Sequence, residues 1–81
     1  MIEYEKLKAS YAAVIQLGIV MGVSYSECKR GNDFLHKFCE QCVGNSNYCD
    51  NDKSTMKREL ELLKEAHDKE IEEYYRNRHK G

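Results

Sequence analysis

The sequence contains no proline and no tryptophan, and only 5 of its 81 residues are glycine. Because proline and glycine are the residues that most often interrupt helices, their scarcity permits long helices and excludes a loop-rich scaffold. An excess of charge of one sign is also missing, since 13 basic and 14 acidic side chains leave a formal net charge of −1. This balance removes the overall positive field that nucleic-acid-binding domains typically carry.

No apolar run is long enough to cross a membrane. The most apolar segment covers residues 12–23, whereas a spanning helix needs about 20 residues. The residues before this segment are mixed in charge and no small-residue cleavage site follows it, so the sequence predicts no signal peptide. We therefore expect a cytoplasmic protein without membrane contact, a setting in which cysteines usually stay reduced or bind metal.

The length predicts a single small domain over residues 1–81, since one domain usually takes about 100–200 residues. A chain this short buries only about 60% of the surface that its unfolded form exposes. Its core therefore needs support from a metal, from disulfides or from a partner subunit.

The hydrophobic periodicity predicts an all-α fold. Apolar residues recur at alternating steps of three and four from Tyr4 to Cys28, which is the heptad pattern of a coiled-coil helix. Gly31 can end this helix in the left-handed conformation, and Phe34 and Phe38 then form the apolar face of a short second helix. The predicted elements are a helix over 2–30, a short helix over 33–43, a cysteine-containing loop over 44–53 and a helix over 54–78.

The third helix carries a narrow apolar stripe from Met56 to Tyr74, with His67 at its centre as a packed histidine. The two long helices are similar in length and are joined by a compact corner. This arrangement predicts an antiparallel hairpin of the first and third helices.

The first helix is apolar on nearly all sides between Val14 and Val23, so one narrow partner helix cannot cover it. Ile19 and Val20 point away from the heptad stripe. The short second helix could fold back over them, a second chain could pack there, or the segment could be a strand. We expect a homodimer through helix one, and an additional contact with another protein. The expected interface residues are Val14, Gly18, Ile19, Val20, Gly22 and Val23, with Tyr74 and Tyr75 near the end of the third helix.

Four cysteines lie within 22 residues, at positions Cys28, Cys39, Cys42 and Cys49. Four thiolates that converge from consecutive elements suit a closed tetrahedral zinc site, which is structural rather than catalytic. His36 could replace one thiolate as a ligand. The sequence predicts zinc at this corner, with three alternatives: thiols without metal, disulfides such as Cys28–Cys49, and an iron–sulfur cluster or redox-active pair.

The sequence contains no nucleophile–base set and no phosphate-binding glycine loop. We therefore expect no enzymatic activity. The expected function is that of a small zinc-stabilised helical interaction module, acting as a regulator or inhibitor of a larger protein. The alternative is a nucleic-acid accessory protein that uses the zinc corner or the basic C-terminus, and the third hypothesis is a thiol redox protein.

Overall fold

The computed structural model describes the backbone of residues 3–80 and the side chains of residues 3–77. It contains three helices, which are α1 (Tyr4–Val20), α2 (Tyr25–Gly44) and α3 (Asp50–Lys80). No strand occurs in the described range, which confirms the all-α prediction and removes the strand alternative for residues 14–23. The predicted start of the first helix, at residue 2, lies outside the described residues.

The predicted helix over 2–30 is wrong because the chain turns at Gly22. Gly22 adopts a left-handed φ of 76°, and its N–H donates to the Ile19 carbonyl at 3.1 Å. The Val23 N–H donates to the Gly18 carbonyl, also at 3.1 Å. This pair of hydrogen bonds is the Schellman motif, which satisfies the last carbonyls of α1 and reverses the chain.

The helix α2 begins immediately after this turn. The side chain of Ser24 accepts a hydrogen bond from the Glu27 backbone N–H at 3.3 Å and caps the helix. Serine followed three residues later by glutamate is the sequence pattern of a capping box. As a result the middle helix has 20 residues and is not short, and Gly31 lies in its interior instead of ending a helix.

The antiparallel hairpin is formed by α2 and α3, not by the first and third helices. Lys29 near the start of α2 forms an ion pair with Glu72 near the end of α3, with an N–O distance of 3.1 Å. At the other end the Lys53 ammonium donates to the Gly44 carbonyl at 3.0 Å. The chain turns between the two helices over residues 45–49.

The helix α1 lies antiparallel to α2 and parallel to α3. The Tyr4 hydroxyl, at the start of α1, donates to Glu59 and lies 3.3 Å from the Met56 carbonyl. Beyond the other end of α1, the carbonyl of Val23 accepts a hydrogen bond from the Tyr75 hydroxyl. These two contacts attach the two ends of the α1 segment to parts of α3 that lie about four turns apart.

The core lies along the line where the three helices meet. From α3 it takes Leu60 and Ile71, which belong to the predicted apolar stripe and are fully buried. The stripe ends before Tyr74, which is exposed. The buried apolar residues are Tyr4, Tyr11, Ile15, Ile19, Cys28, Cys39, Val43, Leu60 and Ile71.

A polar layer crosses the middle of this core. Asn32 of α2 is fully buried, and its Nδ2 donates to the Lys64 carbonyl at 2.9 Å and to Asp68 Oδ1 at 2.8 Å. Its Oδ1 accepts a hydrogen bond from the Tyr11 hydroxyl. One asparagine therefore links all three helices, since Tyr11 belongs to α1 and Asp68 to α3.

Burial by itself would raise the pKa of Asp68. The hydrogen bond from Asn32 and the nearby ammonium groups of Lys29 and Lys64 outweigh burial and lower the pKa of this carboxyl. Asp68 therefore stays ionised beside the buried asparagine.

Candidate interaction surface

The four cysteines are spread over the molecule and do not form one corner. Cys28 is buried beside the α1–α2 turn, where its Sγ lies 3.5 Å from the Tyr75 hydroxyl. Because α2 is continuous, the rise per residue places Cys39 about 16 Å further along the helix axis than Cys28. Two sulfurs bound to one zinc must each lie about 2.3 Å from the metal. Cys28 therefore cannot share a zinc with Cys39 in this fold.

The other three cysteines differ in their surroundings. Cys39 is buried, Cys42 is partly buried, and Cys49 is exposed beside the start of α3. Burial, together with the neighbouring Cys42, raises the pKa of the Cys39 thiol to about 11. All four cysteines are free thiols, and no group of three or more potential ligands among the described residues is arranged to hold a metal ion. The zinc site thus has no support from this arrangement and stays a prediction.

His36, the expected substitute ligand, is buried on α2, and the described residues form no cysteine site around it. Its Nδ1 lies 3.7 Å from Glu40 Oε1. Its Nε2 is buried without a hydrogen-bond partner among the described residues. The geometry therefore gives His36 one carboxylate neighbour and no set of metal ligands.

The expected interface on helix one is partly a core surface. Ile19 is buried in the core. Gly18 faces α2, since a Cβ built on it would lie 3.9 Å from the Cys28 sulfur. Val23 is partly buried against the core. The prediction that these three residues lie on an outer surface is therefore wrong. In the structure, α2 covers the side of α1 that would stay open if the first helix continued to residue 30.

The remaining expected interface residues are more open. Val14 and Val20 are exposed, and Gly22 lies in the turn. Tyr74 is exposed and packs edge-on against the half-buried Tyr75, with ring centroids 5.2 Å apart. The structure thus separates the expected interface into an exposed part of α1 and an aromatic end of α3.

A groove of about 140 Å³ runs between α1 and α2. Gly18 and Gly31 form small positions on its two sides, and Glu27 lies at one end. No described atom beyond its chain neighbours and its own helix backbone lies within 4 Å of a Cβ built on Gly31, so the space above this residue is open. The apolar side chains that line the groove are Val14, Ile15, Val23, Cys28, Leu35 and Ile71.

Two exposed stripes flank this groove, and together with it they form what we call the groove face. Each stripe follows steps of three and four and falls within roughly 80° of its helix surface. Among their members, Leu17 is 57% exposed, Met21 72% and Phe34 69%. Along α1 the stripe consists of Leu7, Ser10, Val14, Leu17 and the C-cap residue Met21, and on α2 it consists of Glu27, Gly31, Phe34, Phe38 and Gln41; Leu7 and Gly31 are partly buried and the others are exposed.

Charge is absent from most of the groove face. No charged residue occurs between positions 9 and 26. Lys6 lies beside the α1 stripe and pairs with Glu3 at 3.0 Å. Glu27, near the start of α2, is the charged member of the groove face.

Sequence reasoning missed the contribution of α2 to this surface. Phe34 and Phe38 are exposed, although the sequence predicts that they form the apolar face of a short helix. The signal that could have found them is the heptad spacing from Glu27 to Gln41, which is separate from the stripe of buried residues that includes Cys28 and Asn32.

No helix within residues 3–80 combines the length and the apolar character needed to cross a bilayer. No protein-family model, curated protein or solved structure was found to match the chain.

Proposed function

We propose that this protein is a non-enzymatic helical interaction module that binds a partner protein through the groove face. The supporting observation is a largely apolar surface across two neighbouring helices, on which Leu17, Met21 and Phe34 are each more than half exposed. Large exposed apolar patches on small proteins usually mark interaction sites.

Energetics support the same proposal. Full burial of one large apolar side chain contributes roughly 1.5–3 kcal/mol. The apolar residues of the groove face are only partly buried in the free protein. A partner that buries the rest of their surface gains a fraction of that free energy. Heptad stripes on two antiparallel helices also match the seam that helices use to pack against other helices.

The chemistry of the described residues favours binding over catalysis. The raised pKa of Cys39 keeps its thiol protonated near neutral pH, whereas a reactive cysteine needs a lowered pKa. Asn32 and Asp68 are engaged in hydrogen bonds and ion pairs inside the bundle. These observations also weaken the thiol redox hypothesis.

The nucleic-acid alternative receives less support. Lys29 pairs with Asp68 and Glu72, and Lys37 pairs with Asp33. Bound carboxylates neutralise these ammonium groups, so they offer little net charge to a phosphate backbone.

The proposal is tested by comparing partner capture by variants of the tagged full chain in its own cells. Leu17→Lys and Phe38→Lys each place a charge on the groove face. Leu62→Lys is the matched control, because Leu62 is 62% exposed on α3, outside the groove face. We expect the wild type and Leu62→Lys to retain the same bound protein, whether another copy or a different chain, and both groove-face variants to lose it. Equal recovery by all four proteins would contradict the proposal, as would the absence of any bound protein.

A further inference from the structure

We infer that the partner bound by the groove face is a second copy of this chain, with Phe34 of each copy inserted into the α1–α2 groove of the other. This inference rests on the proposed function and identifies its partner. The groove face carries both an apolar groove and a protruding aromatic ring.

The size and lining of the groove fit one aromatic ring. Its volume is about 140 Å³, and an apolar protein cavity of about 150 Å³ holds a benzene molecule. Ile15, Leu35 and Ile71 give the groove an apolar lining. The missing side chain of Gly31 opens the space that the ring would fill.

Phe34 is the ring best placed to fill this groove in another copy. It is 69% exposed and lies one turn from Gly31 on the same stripe of α2. A surface that contains a knob and its complementary hole can pair with itself across a two-fold axis, so that both copies make the same contact. A different partner would have to supply its own ring and also a second pocket for Phe34.

The helical pattern of the groove face suits the same pairing. Two antiparallel helices, each with an exposed heptad stripe, meet two equivalent helices of the second copy. The result is a four-helix core, which is a common solution for heptad stripes. At a rise of about 1.5 Å per residue and a width of about 10 Å per helix, the face measures roughly 21 by 20 Å. The pair then buries on the order of 850 Å², which is the size of a small, reversible interface.

The distribution of charge on α1 suits the same pairing. A two-fold axis that lies in the face and runs perpendicular to the helices places α1 of one copy against α1 of the other, and α2 against α2, with each pair antiparallel. Because no charged residue occurs between positions 9 and 26, the two α1 surfaces meet through uncharged side chains over most of their length.

The test is sedimentation equilibrium of the full chain over a range from low to high micromolar concentration. We expect a reversible dimer for the wild type. Gly31→Leu fills the groove from within and is expected to weaken the dimer about tenfold or more. The open space over Gly31 means that this variant folds, and circular dichroism checks that its helix content is unchanged. Phe34→Ala removes the ring and should weaken the dimer by a similar factor, whereas Leu62→Ala should leave it unchanged.

A wild type that stays monomeric at high micromolar concentration would overturn this inference. Dimers that are insensitive to both Gly31→Leu and Phe34→Ala would overturn it as well. If the wild type is monomeric and the capture of a different protein still depends on Leu17, the interaction module stands and only its partner differs. If neither self-association nor such capture is found, the proposed function fails too.

Discussion

The Asn32 amide donates a 2.8 Å hydrogen bond to the Asp68 carboxylate in the centre of the bundle. The same side chain accepts from the Tyr11 hydroxyl, so its donor and acceptor groups are both used. A buried polar group that is fully satisfied costs little, but one that loses its partner costs its desolvation energy. Asn32 therefore fixes the relative positions of the three helices at this level.

Replacing Asn32 with alanine should destabilise the protein by about 2 to 4 kcal/mol, because it removes the hydrogen bonds that this side chain makes with the buried Tyr11 hydroxyl, the Lys64 carbonyl and Asp68. Asp68 keeps its ion pairs with Lys29 and Lys64. Urea denaturation followed by circular dichroism measures this change. Asn47→Ala provides the control, since Asn47 is exposed in the α2–α3 connection. Similar losses for the two variants would show that the buried network contributes no specific stability.

The stability of the fold should decrease as the pH falls below about 6.5, the ordinary pKa of histidine. Burial lowers the pKa of His67 in the folded protein, while Glu70 and Asp68 oppose that shift, and its ring packs on Tyr11 at 4.7 Å. The unfolded chain therefore binds a proton more readily than the folded one between the lowered pKa and 6.5. Unfolding in this window takes up protons, which removes at most about 1.4 kcal/mol per pH unit from this residue.

Urea denaturation at pH 7.5 and at successively lower pH, at low protein concentration, measures this dependence. His67→Gln should reduce the slope. A stability that is independent of pH across this range in the wild type would mean that His67 is not the group responsible.

The helical class and most of α3 follow from the sequence because they depend on periodicity. The stripe through Leu60, His67 and Ile71 identifies the buried side of α3 correctly. The break at Gly22 is hidden, since the heptad stripe continues in phase from Gly18 through the turn into Tyr25. Periodicity carries no information about a turn that depends on one positive φ and one serine cap.

The sequence pattern predicts which segments are helical better than it predicts which residues of a helix are exposed. The segment around Ile19 and Val20 is apolar on all sides, so its pattern does not indicate which residue faces the core. The packing of α2 against α1 decides this, and it buries Ile19 while leaving Val20 exposed. Likewise, Cys28 and Cys39 lie far apart because α2 is continuous between them, whereas the sequence pattern predicts a helix end at Gly31.

The two glycines that bracket the start of α2 should respond in opposite directions to alanine. Gly22→Ala forces a Cβ into the left-handed conformation and should destabilise the fold by about 1 to 2 kcal/mol. Gly31→Ala lies in a helix interior with open space around its Cβ, and it should stabilise the folded monomer by about 0.5 to 1 kcal/mol. Thermal unfolding at low micromolar concentration measures both changes. Destabilisation by Gly31→Ala, or tolerance of Gly22→Ala, would contradict the described position of the turn.

The four cysteines should react with iodoacetamide at very different rates. Cys49 is exposed and should be alkylated first, with Cys42 next because it is partly buried. Cys28 and Cys39 are buried, and the pKa of Cys39 is raised to about 11, so little reactive thiolate exists at neutral pH. Peptide mass spectrometry of samples taken over time gives the order of modification. In urea all four sites should react at similar rates, because unfolding removes the differences in burial.

The same experiment tests the predicted zinc site, because a closed four-thiolate shell would protect all four cysteines together. Chelator would then raise the four rates in parallel and would also unfold the chain, since metal binding and folding are coupled in such sites. The described arrangement instead predicts that chelator leaves both the order of alkylation and the helix content unchanged. Uniform protection that chelator removes, together with one zinc per chain by elemental analysis, would require Cys28 to approach Cys39, and α2 could not then be continuous between them.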